Sequence, residues 1–264
     1  MFTHAHTRRH LIKLATAGLP LIVSAGCKMD GPHSDRERIE NERQHSCFLK
    51  GTRIATRLGD LPVQELRIGD EVYTHNGVKP IRWIGHNQFR KSEGETWSKS
   101  VMPIRVARFA IDDRTPQRDL YLSPAHCLFI DGVFIPVVHM INESSIATHM
   151  PSPANVIEYY HIEFDAHELI YAEGTPVESY LPTNRDDFSN FVEYEGLYGP
   201  ERGSDMTPFA PIVGYYGGRD ELKGLCRYLI SNVVDVRDPI QVAWDRIAAR
   251  AITNANIPAA DANL

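Results

Sequence analysis

Cysteine is scarce in this chain of 264 residues, and the four present, Cys27, Cys47, Cys127 and Cys226, lie far apart. That count is too low for a disulfide scaffold, and the spacing is wrong for a zinc motif. The twelve histidines form no metal-binding pattern either, so neither a metal nor a cofactor is expected. A basic surplus is also missing: Lys and Arg number 28 against 34 Asp and Glu, for a formal net charge of -6 and a pI near 6.0. With no arginine-rich or aromatic-interleaved stripe, a nucleic-acid partner is not expected. No apolar run is long enough to span a bilayer; the stretch from Leu14 to Gly26 is short and broken by Ala, Gly and Pro. What is present, 42% hydrophobic and 23% charged residues, supports one sizeable core with accessory segments.

Residues 1–27 read as an export signal. Thr7-Arg8-Arg9-His10-Leu11-Ile12-Lys13 resembles the twin-arginine motif and precedes the short apolar stretch. Val23-Ser24-Ala25-Gly26-Cys27 resembles a lipoprotein box with Ser24 in place of the usual Leu. Cys27 is then the lipidated residue; the alternative is an ordinary signal cleaved after a small residue. The protein is accordingly expected to be exported, to the periplasm or the exterior, and to touch the membrane only through the signal or a lipid anchor carried before cleavage. Residues 28–46 are densely charged, with Met29 and Ile39 the only sizeable apolar residues, and form a polar linker; Ser34 and Glu37 have the spacing of a capping box for a short alternative helix.

Residues 47–183 alternate short extended stretches with turns, the pattern of a mainly β domain. Strands are expected at Lys79–Ile84, Val101–Val106, Asp119–Leu122, Cys127–Ile130, Val133–Val138, Tyr159–Phe164 and Leu169–Ala172, and a polar loop from Asn87 to Lys99. His75-Asn76-Gly77-Val78 and Ile130-Asp131-Gly132-Val133 each suit a type I′ hairpin turn. Residues 184–264 form a C-terminal extension with helices expected over Arg219–Val233 and Pro239–Thr253, the second opened by a proline suited to a first helical turn.

Chemistry concentrates where the polar linker ends. Cys47 stands at the first residue of the β domain, Gly51 permits a sharp reversal soon after it, and Thr52, Ile54 and Thr56 share one strand face opposite Arg53 and Arg57. A thiol in that position can attack the Ser46 carbonyl and convert a peptide bond into a thioester.

Three blocks carry a resemblance. Cys47-Phe48, Gly51-Thr52, Ile54, Thr56, Val63-Gln64-Glu65-Leu66 and Gly69-Asp70-Glu71-Val72 resemble the opening block of the Hint domain, the fold shared by inteins and the hedgehog autoprocessing domain. Leu122-Ser123-Pro124-Ala125-His126 resembles the second block, and Tyr160 to Leu169 with Ala172-Glu173-Gly174 the last. Ile81-Arg82-Trp83-Ile84-Gly85 matches the bacterial subtype. The resemblance implies a pseudo-symmetric all-β domain that cleaves its own chain once, at Ser46-Cys47, with its own N-terminal segment as substrate and water or a small nucleophile resolving the thioester. The alternative is a Hint-like exported interaction module that does not cleave. In the first case Cys47 is the nucleophile and His126 protonates the departing nitrogen. Ser123, in place of the more usual Thr, could hydrogen-bond the scissile amide and weaken its resonance. His167 lies where the last block carries polar site residues, and Asp165 could fix its tautomer. His86 stands near the position of an activating aspartate in hedgehog-type domains, which this chain lacks. Cys127 should face away from His126 along a strand. Glu178 and Ser179 occupy the positions where splicing domains carry His and Asn, so cleavage without splicing is expected.

Overall fold

A computed structural model describes residues 46–150, 155–182, 185–200, 206–214 and 238–255. The expected export signal with Cys27, the expected linker up to residue 45 and the helix expected over Arg219–Val233 lie outside these residues. The strands are β1 (Phe48–Leu49), β2 (Arg53–Thr56), β3 (Gly59–Pro62), β4 (Glu71–Thr74), β5 (Gly77–Pro80), β6 (Trp83–Arg90) and β7 (Ile104–Val106). The second half supplies β8 (Leu120–Leu122), β9 (Cys127–Ile130), β10 (Val133–Pro136), β11 (Ile146–Thr148), β12 (Val156–Glu163), β13 (Leu169–Ala172) and β14 (Thr175–Glu178). They form two antiparallel sheets. One has the order β11-β7-β8-β1-β12-β6; the other runs β10-β9-β14-β13-β2-β4-β5, with β3 paired to β2. The domain is mainly β, as the alternation of short apolar runs and turns predicts.

Period-two patterning explains the placement of the core. On β2, Ile54 and Thr56 point inward with Thr52 just before the strand, while Arg53 and Arg57 lie outward. Phe48, Ile54, Leu122, Leu128, Ile162, Ile170 and Val177 from both sheets belong to one buried cluster. At about 1.5–3 kcal/mol per fully buried large apolar side chain, such a cluster is the main driving force for closing the sheets on each other.

The two expected type I′ turns differ. Asp131 (φ 50°) and Gly132 (φ 89°) both take positive φ between Ile130 and Val133, as expected. In the other hairpin Thr74 pairs with Gly77, and only Gly77 (φ 95°) takes positive φ, which corrects that expectation. The Thr74 hydroxyl explains the choice: it donates to the Gly77 carbonyl (2.9 Å) and accepts from the Asn76 N–H (3.1 Å), bracing a turn in which neither His75 nor Asn76 takes positive φ. The β2–β3 turn repeats the device with Thr56.

A second correction concerns residues 87–90, expected as loop but continuous with β6 and paired with β12 as far as Arg90↔Val156. β6 is the outer strand of its sheet, so polar side chains are tolerated there. Its free edge is covered by Ser189 and Asn190: the Ser189 N–H donates to the His86 carbonyl (3.0 Å), while the Asn190 side chain accepts from the His86 N–H (2.8 Å) and donates to the Ile84 carbonyl (2.9 Å). Phe188 lies so close over Gly85 that a Cβ there would meet its ring at 2.6 Å. A helix not expected from sequence, Phe191–Tyr198, follows. The helix expected from Pro239 runs to Ala255 and buries Ala243, Ile247 and Ala251. Its Trp244 indole donates to the Ile141 carbonyl at 2.9 Å and its Arg250 Nε to the Phe109 carbonyl at 2.7 Å, so the extension packs on the domain.

Candidate functional site

Cys47 sits immediately before β1, whose Phe48 is paired on one side with Leu122 and on the other with Tyr160. The strand is only two residues long because Gly51, at φ 97°, turns the chain away. Ser123 holds both backbone groups of Cys47: its Oγ accepts from the Cys47 N–H at 2.6 Å, and its N–H donates to the Cys47 carbonyl at 2.9 Å. The Ser123 hydroxyl therefore meets the Ser46-Cys47 amide at its N–H, as the acceptor. The thiol is fully buried with Trp83, Tyr159 and Tyr180 in its cluster; burial, and then the negative charge of Glu178, push its pKa well above the ordinary thiol value. It is a neutral thiol, not a standing thiolate.

His126 closes the same turn, its N–H donating to the Ser123 carbonyl at 3.1 Å. Its ring is fully buried 4.3 Å from the Phe48 ring and 5.0 Å from that of His161, measured between centroids. Neither ring nitrogen meets a partner in hydrogen-bonding geometry, although the Glu178 backbone lies near enough to oppose the shift slightly. Burial, then the neighbouring His167, lower its pKa to about 3. His161, on β12, is likewise buried and held well below the usual imidazole value by burial and by His126 and His167.

His167 is also buried, yet fully engaged: Nε2 donates to the Ser179 carbonyl at 3.1 Å, and Nδ1 accepts from the Phe209 N–H at 2.9 Å. These bonds fix the tautomer, and burial lowers its pKa to about 4 against the opposing pull of the Ser179 carbonyl. The expectation that Asp165 fixes it is corrected: Asp165 lies at the tip of the β12–β13 turn with its side chain 85% exposed, 3.4 Å from the Arg82 guanidinium. Burying a second charge beside His167 would carry a large desolvation cost, and the backbone supplies both partners without it. His86 stacks on Tyr160 with its Nε2 3.8 Å from the Glu158 carboxylate. Cys127 packs in a different cluster from the His126 ring, among Ala125, Phe134 and Leu169, as the strand alternation predicts.

The group that sequence reasoning missed is Glu178. It ends β14, between β9 and β13, is buried, and its Oε1 accepts from the Cys127 N–H (2.8 Å) and from the Ser46 hydroxyl (2.9 Å), while Oε2 stands 4.0 Å from His167 Nε2. The available signal was its position, where splicing domains carry His; strand alternation gave none, because Glu178 shares the Pro176 face and is buried against that alternation. His161 was quoted within a matching block but given no role. His126, His161 and Glu178 bring their ligand atoms within 4.8 Å of one another, a donor set of the type zinc takes and one that could hold a metal ion, where sequence spacing suggested none.

With this geometry in hand, the chain can be compared with known proteins. It is similar to the solved structures of a DnaB intein from Synechocystis sp. PCC 6803 (9% identity, 52% of this chain and 99% of that one, TM-score 0.35) and of a bacterial intein-like domain from Clostridium thermocellum (10%, 51% and 98%, TM-score 0.32). The gp41-1 intein gives 10% identity over 50% of this chain and 97% of that one, with a TM-score of 0.30. No curated protein matches the chain. The family model described as Hint domain matches residues 46–184, more than half of the sequence. The chain therefore belongs to the Hint domain family.

Proposed function

We propose that this domain cleaves its own chain at Ser46-Cys47 by an N-to-S acyl shift, without splicing, in an exported protein. The observation that carries the reading is the Ser123 grip on the Cys47 amide, in the same turn that presents a buried, partnerless, neutral His126. A neutral imidazole is the form that can accept the thiol proton. The sulfur adds to the Ser46 carbonyl, the C–N bond breaks, and the imidazolium returns that proton to the departing nitrogen, leaving a Ser46 thioester and a free Cys47 amine. Water or a small nucleophile then takes the acyl group and the thiol is restored. Ser179, where a splicing domain would carry Asn, has no amide nitrogen to cyclise; its hydroxyl accepts from the Glu168 N–H at 2.8 Å, which supports cleavage alone.

The raised pKa and complete burial of the Cys47 thiol favour the second reading, a Hint domain that no longer cleaves and serves as an interaction module. Intact mass separates the two. An added thiol should hasten release of the segment ending at Ser46 from the parent and do nothing to Cys47→Ala; fragmentation equal in both proteins would refute the first reading.

A further inference from the structure

The Ser46 hydroxyl, on the other side of the scissile bond, has been given no role. It lies within 3.0 Å of the Ala125 carbonyl and 2.9 Å of Glu178 Oε1. One hydroxyl proton thus faces two acceptors, and one of these belongs to a buried carboxylate already fixed by the Cys127 N–H at 2.8 Å. β14, which carries that carboxylate, is flanked by β9 and β13 through Val177↔Leu128 and Ile170↔Val177, so the acceptor cannot easily retreat.

We propose that Glu178 and the Ala125 carbonyl form a specificity subsite for the residue preceding Cys47, which accepts a small hydroxyl donor and rejects a carboxylate. This rests on the cleavage reading above and assigns Glu178 the role of a specificity-determining residue. A side chain with no donor forfeits the charge-assisted bond to Glu178 Oε1, which keeps the Cys127 N–H as its other partner. A carboxylate in the same place sets like charges against each other in a water-poor pocket. A long side chain overruns a contact already closed at 2.9 Å.

The test uses the full chain, with thiol-induced cleavage followed by intact mass. The rate falls in the order Ser46, Ser46→Thr, Ser46→Ala, Ser46→Asp, with Ala about tenfold slow and Asp about a hundredfold slow. Glu178→Gln, whose amide can donate to the new carboxylate, raises the Ser46→Asp rate at least about tenfold. Rates for Ala and Asp within about twofold of the parent, or no rescue of Asp by Gln, overturn the subsite. If the parent itself does not cleave, the proposed function fails separately, and the subsite is judged in Cys47→Ala proteins by thermal unfolding. There Ser46→Asp lowers Tm by about 4 °C or more and Glu178→Gln restores it; equal Tm values across the set overturn the subsite.

Discussion

Two histidines near Glu178, His167 and His126, share burial and a neutral charge but little else. His167 is held on both nitrogens, by the Phe209 N–H and the Ser179 carbonyl, and cannot change protonation without breaking a bond. His126 is also buried, with no partner in hydrogen-bonding geometry on either nitrogen. A buried imidazole without partners is a standing cost to the fold. The difference fits an architectural role for His167 and, on the cleavage reading proposed above, proton transfer by His126.

Replacing each ring by a leucine of similar size should separate the two histidines most sharply. His126→Leu should lose roughly 10²-fold or more in cleavage rate, the scale of a general acid, with unfolding free energy equal to or above the parent because two unpartnered nitrogens are removed. His167→Leu should instead destabilise by about 2–4 kcal/mol, since it strands the Phe209 N–H and the Ser179 carbonyl; denaturant titration reads both. A stability loss at His126 as large as that at His167 would erase the comparison.

Acid should expose the same contrast. His126 has its folded pKa lowered from 6.5 to about 3, so the unfolded chain binds more protons between those values and stability falls as pH drops through that window. His167, lowered to about 4, acts in the same direction over a narrower range. Comparing chemical unfolding at pH 6.5 and 4, His126→Leu should lose less than the parent by on the order of 3 kcal/mol. Identical acid slopes would mean that His126 meets solvent.

Ser123→Ala removes the acceptor on the Cys47 N–H and should slow cleavage about tenfold while His126 stays in its turn. The smallest effect is expected in the C-terminal helix: Trp244→Phe loses the bond to the Ile141 carbonyl and about 1 kcal/mol of stability, with the cleavage rate unaltered. A rate change there would tie the extension to the chemistry.

Cys47, Ser123, His126 and His167 were legible because each sits inside a local block whose spacing survives in a single sequence. The two-sheet fold was legible for a related reason: period-two alternation and turn residues are local signals. Glu178 was not, because its role comes from Ser46 and Cys127, 132 and 51 positions away, which only the closure of β14 onto β9 brings to it. Asp165 misled for the converse reason: two residues from His167 in sequence, it occupies a turn tip from which its side chain points to water and Arg82. The Asn76-Gly77 pair misled because the preceding Thr74 captures the turn with its own hydroxyl, a competition that dipeptide rules ignore.

The pairing of β1 on both sides has a consequence for the fate of a thioester formed at Cys47. Phe48 is locked between Leu122 and Tyr160, and the Cys47 carbonyl is bonded to Ser123, so an amine liberated at Cys47 has nowhere to go. It would remain beside the thioester it had just left, and well-oriented intramolecular partners behave as though present at about 10⁵–10⁸ M. Re-formation of the amide would then outpace attack from solvent at ordinary concentrations. The thioester would be a sparsely populated, reversible state, and the flux through it would be set by the supply of an outside nucleophile.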